Sequence, residues 1–140
     1  MTSQLNVDTI VDKAGSGGTN VKVKGSNSTY VDGTTTQNLT QGLTKCFWRY
    51  NISDNTFDDS FNVTSGTDDG TGLYTVTITN NFGSAAAMVG TASGSTTSGG
   101  LREAAFVSYA VGSIQMTTAF QNGGGIDVDD TCCHINGDLA

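Results

Sequence analysis

The chain has 140 residues and a formal net charge of −7, from twelve Asp and one Glu against four Lys and two Arg. Phosphate backbones are bound by clustered Lys and Arg, which this sequence lacks, so nucleic acid is not expected as a partner. No apolar run approaches the length that spans a membrane, so no membrane insertion is expected.

Apolar residues make up 36% of the chain and Gly fills 19 positions. Thr and Val suit a pleated surface, and Gly and Asn suit tight turns, so the composition predicts short strands rather than helices. A β domain this small and apolar-poor buries too little surface to be comfortable alone, which predicts a homo-oligomer.

In chain order, Met1 to Lys13 carries no hydrophobic run of a secretory signal. Leu5, Val7 and Val11 alternate with polar residues there and, with Ile10, are the apolar anchors of a thin arm. Val21 and Val23 alternate with Lys22 and Lys24 in a second short strand. The stretches AGSGGTN (Ala14 to Asn20) and GSNSTYVDGTTTQN (Gly25 to Asn38) read as flexible connectors. An arm without a core must bury its anchors on copies of itself or on another protein by strand addition. Leu39 and Leu43 lie four apart, the spacing of one helical turn around a symmetry axis.

From Thr44 onward short strands alternate with turn signals, the pattern of a sandwich or barrel. Cys46, Trp48, Tyr50 and Ile52 fall on one strand face, and Phe61 and Val63 share another. GTDDGTG (Gly66 to Gly72) marks a hairpin before Tyr74, Val76 and Ile78, because Asp-Gly suits positive φ. FGSAAAMVGTA is rich in small residues, where backbones approach closely, and TASGSTTSGG (Thr91 to Gly100) reads as a low-complexity loop. Two more strands lie in EAAFVSYAVGSIQMTTAF, and IDVDDTCCHINGDLA closes the chain.

The expected fold is therefore all-β: a small antiparallel β-sandwich or barrel-like domain over residues 44–140, preceded by an extended arm and connector over residues 1–43. Trp48, Tyr50, Phe61 and Tyr74, with Leu39 and Leu43, are the expected core or trimer-contact residues. Phe47 points opposite Trp48 and Phe57 lies in a loop, so both are expected to be exposed. Ser95, Thr96 and Thr97 complete the candidate contacts.

Catalytic groups are sparse. Glu103 is the one Glu, adjacent Asp residues on a strand point apart, and there is no Gly-x-Ser-x-Gly elbow for a nucleophile. His134 is the one His; Cys132 stands two residues before it on the same strand face, so the pair is a weak candidate for zinc or iron on a symmetry axis. No catalytic residue, cofactor or metal is expected, and Cys46, Cys132 and Cys133 are read as reduced. Four Asn-x-Ser/Thr triplets, at Asn27, Asn38, Asn51 and Asn62, are read as coincidences of composition.

The opening SQLNVDTIVDKAGSGG resembles the leader of tail-fibre-like and other structural proteins of marine tailed bacteriophages. NLTQGLTKCFWRYN, then DDSFNVTSGTDDGTGLYTVTITNNF, is similar to a β module at the distal end of such proteins, and the closing GDLA resembles its terminus. The resemblance implies a non-enzymatic virion structural protein, a homotrimer assembled in the host cytoplasm and attached to other virion proteins through its arm. A short tail fibre or spike is the first expectation. A capsid decoration protein is the alternative, because little more than Gly25 to Asn38 stands where a fibre has its shaft. Binding of a host-surface glycan or protein is a further expectation, and a depolymerase the least favoured.

Overall fold

The computed structural model describes residues 29–32, 35–38, 42–95 and 102–138, with side-chain environments from residue 42 on. The expected arm anchors Leu5, Val7, Ile10 and Val11, and Leu39, Thr96 and Thr97, lie outside the described residues or side chains. Two compact units divide after Asn38.

In the first unit, strand β1 (Thr29–Asp32) pairs antiparallel with β2 (Thr35–Asn38), Thr29 facing Asn38 and Asp32 facing Thr35. A plain connector was expected here. Thr, Tyr and Val supply strand propensity on either side of an Asp32-Gly33 turn signal, and that chemistry prevails over the linker-like composition.

The second unit is a nearly closed, barrel-like antiparallel sheet of eight strands. They are β3 (Thr44–Asn51), β4 (Thr56–Phe61), β5 (Val63–Gly70), β6 (Leu73–Ile78), β7 (Val89–Ser95), β8 (Arg102–Ala110), β9 (Ser113–Phe120) and β10 (Asp130–Asn136). A 3-10 turn, Ala85–Ala87, precedes β7, and the Ser84 hydroxyl caps it by accepting from the Ala86 N–H at 3.2 Å. The spatial order is β4-β3-β10-β7-β8-β9-β6-β5. The two outermost strands, β4 and β5, are consecutive in the chain. One bent segment therefore carries one sheet edge into the other, which removes most of the exposed edge that proline would otherwise protect.

Asn62 makes that bend, with φ of 60°, a left-handed conformation that Asn tolerates better than most residues. Its Nδ2 donates to the carbonyls of Lys45 and Asn80, both at 3.1 Å. Its Oδ1 accepts from the Asn80 backbone N–H at 2.7 Å, and its own carbonyl accepts from Thr79 N–H at 3.1 Å. One side chain thus ties β3 to the end of β6 across the seam. Phe61 and Val63, expected on one strand face, are separated by this corner.

Alternation fills the interior. Cys46, Trp48 and Tyr50 from β3, Tyr74, Val76 and Ile78 from β6, Ile114 and Met116 from β9, and Cys133 and Ile135 from β10 are all buried. Burial of each aliphatic side chain of this set contributes roughly 1.5–3 kcal/mol. Phe82 and Met88 close one end of the barrel, and Ile52 with Val128 close the other, where Ile52 N–H donates to the Val128 carbonyl at 3.1 Å. Two buried threonines are satisfied: Thr131 donates its hydroxyl to the Tyr50 carbonyl at 3.0 Å and Thr118 donates to the Ile126 carbonyl at 2.5 Å.

Two expectations about turns change. The hairpin signal at Gly66 to Gly72 is mostly strand: β5 runs to Gly70, leaving Thr71 and Gly72 to turn, with Gly72 at φ 72°. Thr91–Ser95, expected within a loop, is the greater part of β7. Gly90, Ala92 and Gly94 take the half-buried positions of this strand, and Phe106 of β8 fills the space above Gly90. Small residues carry little strand propensity, yet here they make room for a neighbour's ring.

Candidate functional site

The most chemically varied surface lies on the outside of β4, β3, β10 and β7. Strand pairing aligns its side chains in rows. Phe61, Phe47, His134 and Thr91 stand directly opposite one another across the four strands, and the next row reads Asp59, Arg49, Cys132 and Ser93. Outward alternation puts them there, because Trp48 and Cys133 between them turn inward.

In the first row the Phe47 and Phe61 rings stack at 6.0 Å between centroids with 21° between planes. Phe61 is 52% exposed, so a large apolar face reaches solvent. His134 Nδ1 shares a hydrogen bond with the Thr91 hydroxyl at 3.1 Å. In the second row Arg49 Nε reaches Asp130 at 3.0 Å and Asp58 at 3.4 Å. The hydrogen bond from Arg49 to Asp130, with the field of both carboxylates, raises the guanidinium pKa further. The ion pairs are solvent-exposed, so they orient the row more than they stabilise the fold.

Cys132 has its thiol pushed up by partial burial and then by the charge of Asp130, whose Oδ1 lies 3.6 Å from Sγ. Cys46 and Cys133 face the core; burial lifts Cys46 to about 12 and raises Cys133 as well. All three cysteines are free thiols. Cys132 and His134 do share a face, but the first is engaged with Asp130 and the second with Thr91. Among the described residues no group of three or more His, Cys, Asp or Glu is placed to hold a metal ion.

The remaining candidate residues divide. Trp48, Tyr50 and Tyr74 are core residues. Leu43, at 57% exposure, and Phe61 lie on the surface of the single chain, not in its core. Phe47 is exposed, whereas Phe57 is half-buried, its ring 4.6 Å from that of Tyr50. A loop position suggested exposure for Phe57; instead β4 begins at Thr56 and turns the ring onto the barrel. Ser95 is exposed at the end of β7. Carboxylates on this domain serve turns and strands: Asp127 accepts from Gly72 N–H at 2.6 Å, and Asp58 and Asp130 hold Arg49.

Sequence reading missed the Arg49 row and the role of Asn62. Alternation alone places Arg49 outside, but the register that brings it beside Asp58 and Asp130 is a long-range property. Comparison with protein-family models, curated proteins and solved structures found no match for this chain.

Proposed function

We propose that this chain is a non-enzymatic structural subunit of a tailed-phage particle, a homotrimeric short fibre or spike anchored by its N-terminal arm. The observation that carries the reading is the surface of the barrel. Leu43, Phe47, Phe61, Val89, Val107, Tyr109, Val111 and Phe120 are large apolar side chains exposed on a domain of about 100 residues. Among them Phe47 and Phe61 stack into one exposed apolar patch, and contiguous patches of that kind are covered in assemblies by neighbouring copies or partner proteins. The leader resemblance supports attachment to virion proteins, and a tightly bent barrel with few free edges suits a particle exposed to the environment. Capsid decoration uses the same construction at another location.

Deletion of Met1 to Asn20 tests the anchoring. The shortened chain is expected to fold, to remain trimeric and to be missing from purified particles. Its incorporation at the level of the full chain would overturn the arm's role.

A further inference from the structure

We infer that Asn122 is a self-modifying site, which loses its side-chain amide to attack by the Gly123 backbone nitrogen, and that the fold protects the equivalent pair Asn136-Gly137.

The sequence holds two Asn-Gly pairs, Asn122-Gly123 and Asn136-Gly137. In both, glycine leaves the following peptide nitrogen unshielded by a β-carbon, so sequence alone ranks them equal. The fold separates them. Asn122 lies in the exposed turn that follows β9, and a β-carbon placed on Gly123 would meet nothing within 4 Å. The Asn122 carboxamide is folded back over this turn, its Oδ1 accepting from the Gly124 N–H at 3.4 Å. That contact keeps Cγ beside the Gly123 peptide and draws charge towards Oδ1, where negative charge gathers during attack. The Gly123 N–H donates to the Phe120 carbonyl at 2.8 Å, and this bond has to open first. Both residues are exposed, so the opening is a small local event.

Asn136 stands differently. It ends β10 in register with Thr44 on one side and Val89 on the other, and its Oδ1 is shielded from solvent. A β-carbon on Gly137 would lie 2.9 Å from the Ala87 carbonyl oxygen and 3.2 Å from the Phe82 ring. Swinging the Asn136 side chain onto the Gly137 nitrogen therefore requires the strand end to come away from its neighbours.

In the reaction at Asn122 a bond forms between Gly123 N and Asn122 Cγ, and the Cγ–Nδ2 bond breaks. Nδ2 leaves as ammonia, taking up the proton of the Gly123 amide. Water then opens the cyclic imide at either carbonyl. Cleavage of the N–Cγ bond restores the peptide with an Asp side chain. Cleavage on the main-chain side leaves a β-linked chain, longer by one carbon. No oxidant or reductant takes part. Either product adds a negative charge at the end of β9. The β-linked form also stretches the turn that the Gly123–Phe120 and Phe120–Gly124 hydrogen bonds close.

Incubation of the full chain in neutral buffer, with and without denaturant, tests the assignment by peptide mapping that separates Asp from its β-linked isomer. In the folded chain Asn122 should convert at least about tenfold faster than Asn136, the difference between opening a turn and opening a strand end. In denaturant the two rates should agree within about twofold, because the shared glycine then governs both. Both isomers should appear at position 122. Asn122→Gln lengthens the side chain and disfavours the ring, so it should abolish the change there while leaving the fold and Asn136 as they are. Equal rates at the two sites in the folded chain would overturn the proposal. So would a tenfold ratio that persists in denaturant, since the fold would then play no part, or formation of Asp alone, the product of direct hydrolysis without the imide.

Discussion

The ring of Tyr50 on β3 lies over Gly66 on β5, so closely that a β-carbon on the glycine would stand 2.7 Å from Tyr50 Cε2. These strands lie on either side of the seam where the sheet closes, and no ladder of hydrogen bonds joins them. The aromatic ring takes the place of that ladder. It also packs against Tyr74 at 5.2 Å and Phe57 at 4.6 Å between centroids, and its hydroxyl donates to Asn55.

Gly66→Val should therefore open the seam. The added side chain meets a buried ring that is itself held from three sides, and overpacking of this kind costs about 1–3 kcal/mol. Chemical denaturation should show a lower midpoint with an unchanged slope. Gly66→Ala, which adds one carbon in place of three, should lose less than Gly66→Val.

Asn62 carries the corner between the two edges. Asn62→Ala removes the hydrogen bonds to Lys45 and Asn80 and places Ala in a left-handed conformation. The two effects together should cost about 2–4 kcal/mol. Asn62→Gly keeps the backbone free to turn but still lacks the clamp, so it should fall between Ala and the parent in thermal unfolding. A destabilisation equal in both variants would show that the backbone conformation contributes nothing.

The three cysteines should separate by accessibility. In the folded chain iodoacetamide should modify Cys132 alone, because Cys46 and Cys133 are buried and their thiols raised. The thiolate is the attacking species. Partial burial and then Asp130 hold Cys132 in the neutral form, so Asp130→Asn should speed its alkylation by roughly two- to fivefold at pH 8. Mass spectrometry of the labelled peptides checks both statements.

Alkaline pH should unfold the barrel. Burial raises Tyr74 from its ordinary 10.0 to about 12 and Cys46 from 9.0 to about 12. Below the ordinary values both groups are protonated in both states, so neither makes stability depend on pH there. As pH rises past those values the unfolded chain ionises first, so stability falls from pH 9 upward and the loss is complete near pH 12. Tyr74 alone accounts for about 2–3 kcal/mol of that loss. Tyr74→Phe should flatten the part of the decline above pH 10.

Much of the barrel was legible in the sequence because alternation is a local signal. Cys46, Trp48 and Tyr50 announced the inward face of β3, and Tyr74, Val76 and Ile78 that of β6. Closure was not legible. It depends on Asn62 reaching across the seam to Lys45 and Asn80, and on Gly66 yielding space to Tyr50, and neither relationship leaves a periodic trace. Strand β7 was hidden for a different reason: Gly90 leaves its space to Phe106 and Gly94 lies close against Arg102 and Ala104 of β8, so small residues stand where a strand signal would be sought. The candidate surface was half legible. Phe47 follows from its phase opposite Trp48, but its stacking on Phe61 and the grouping of Arg49 with Asp58 and Asp130 follow from register.

Immunogold electron microscopy of intact phage particles, with antibody raised against Thr44 to Ala140, tests the central claim most directly. Gold at the tail is the predicted result for a short fibre or spike, and gold spread over the head would move the same structural role to capsid decoration. Particles that carry the protein nowhere, while the infected cell contains it, would contradict the account.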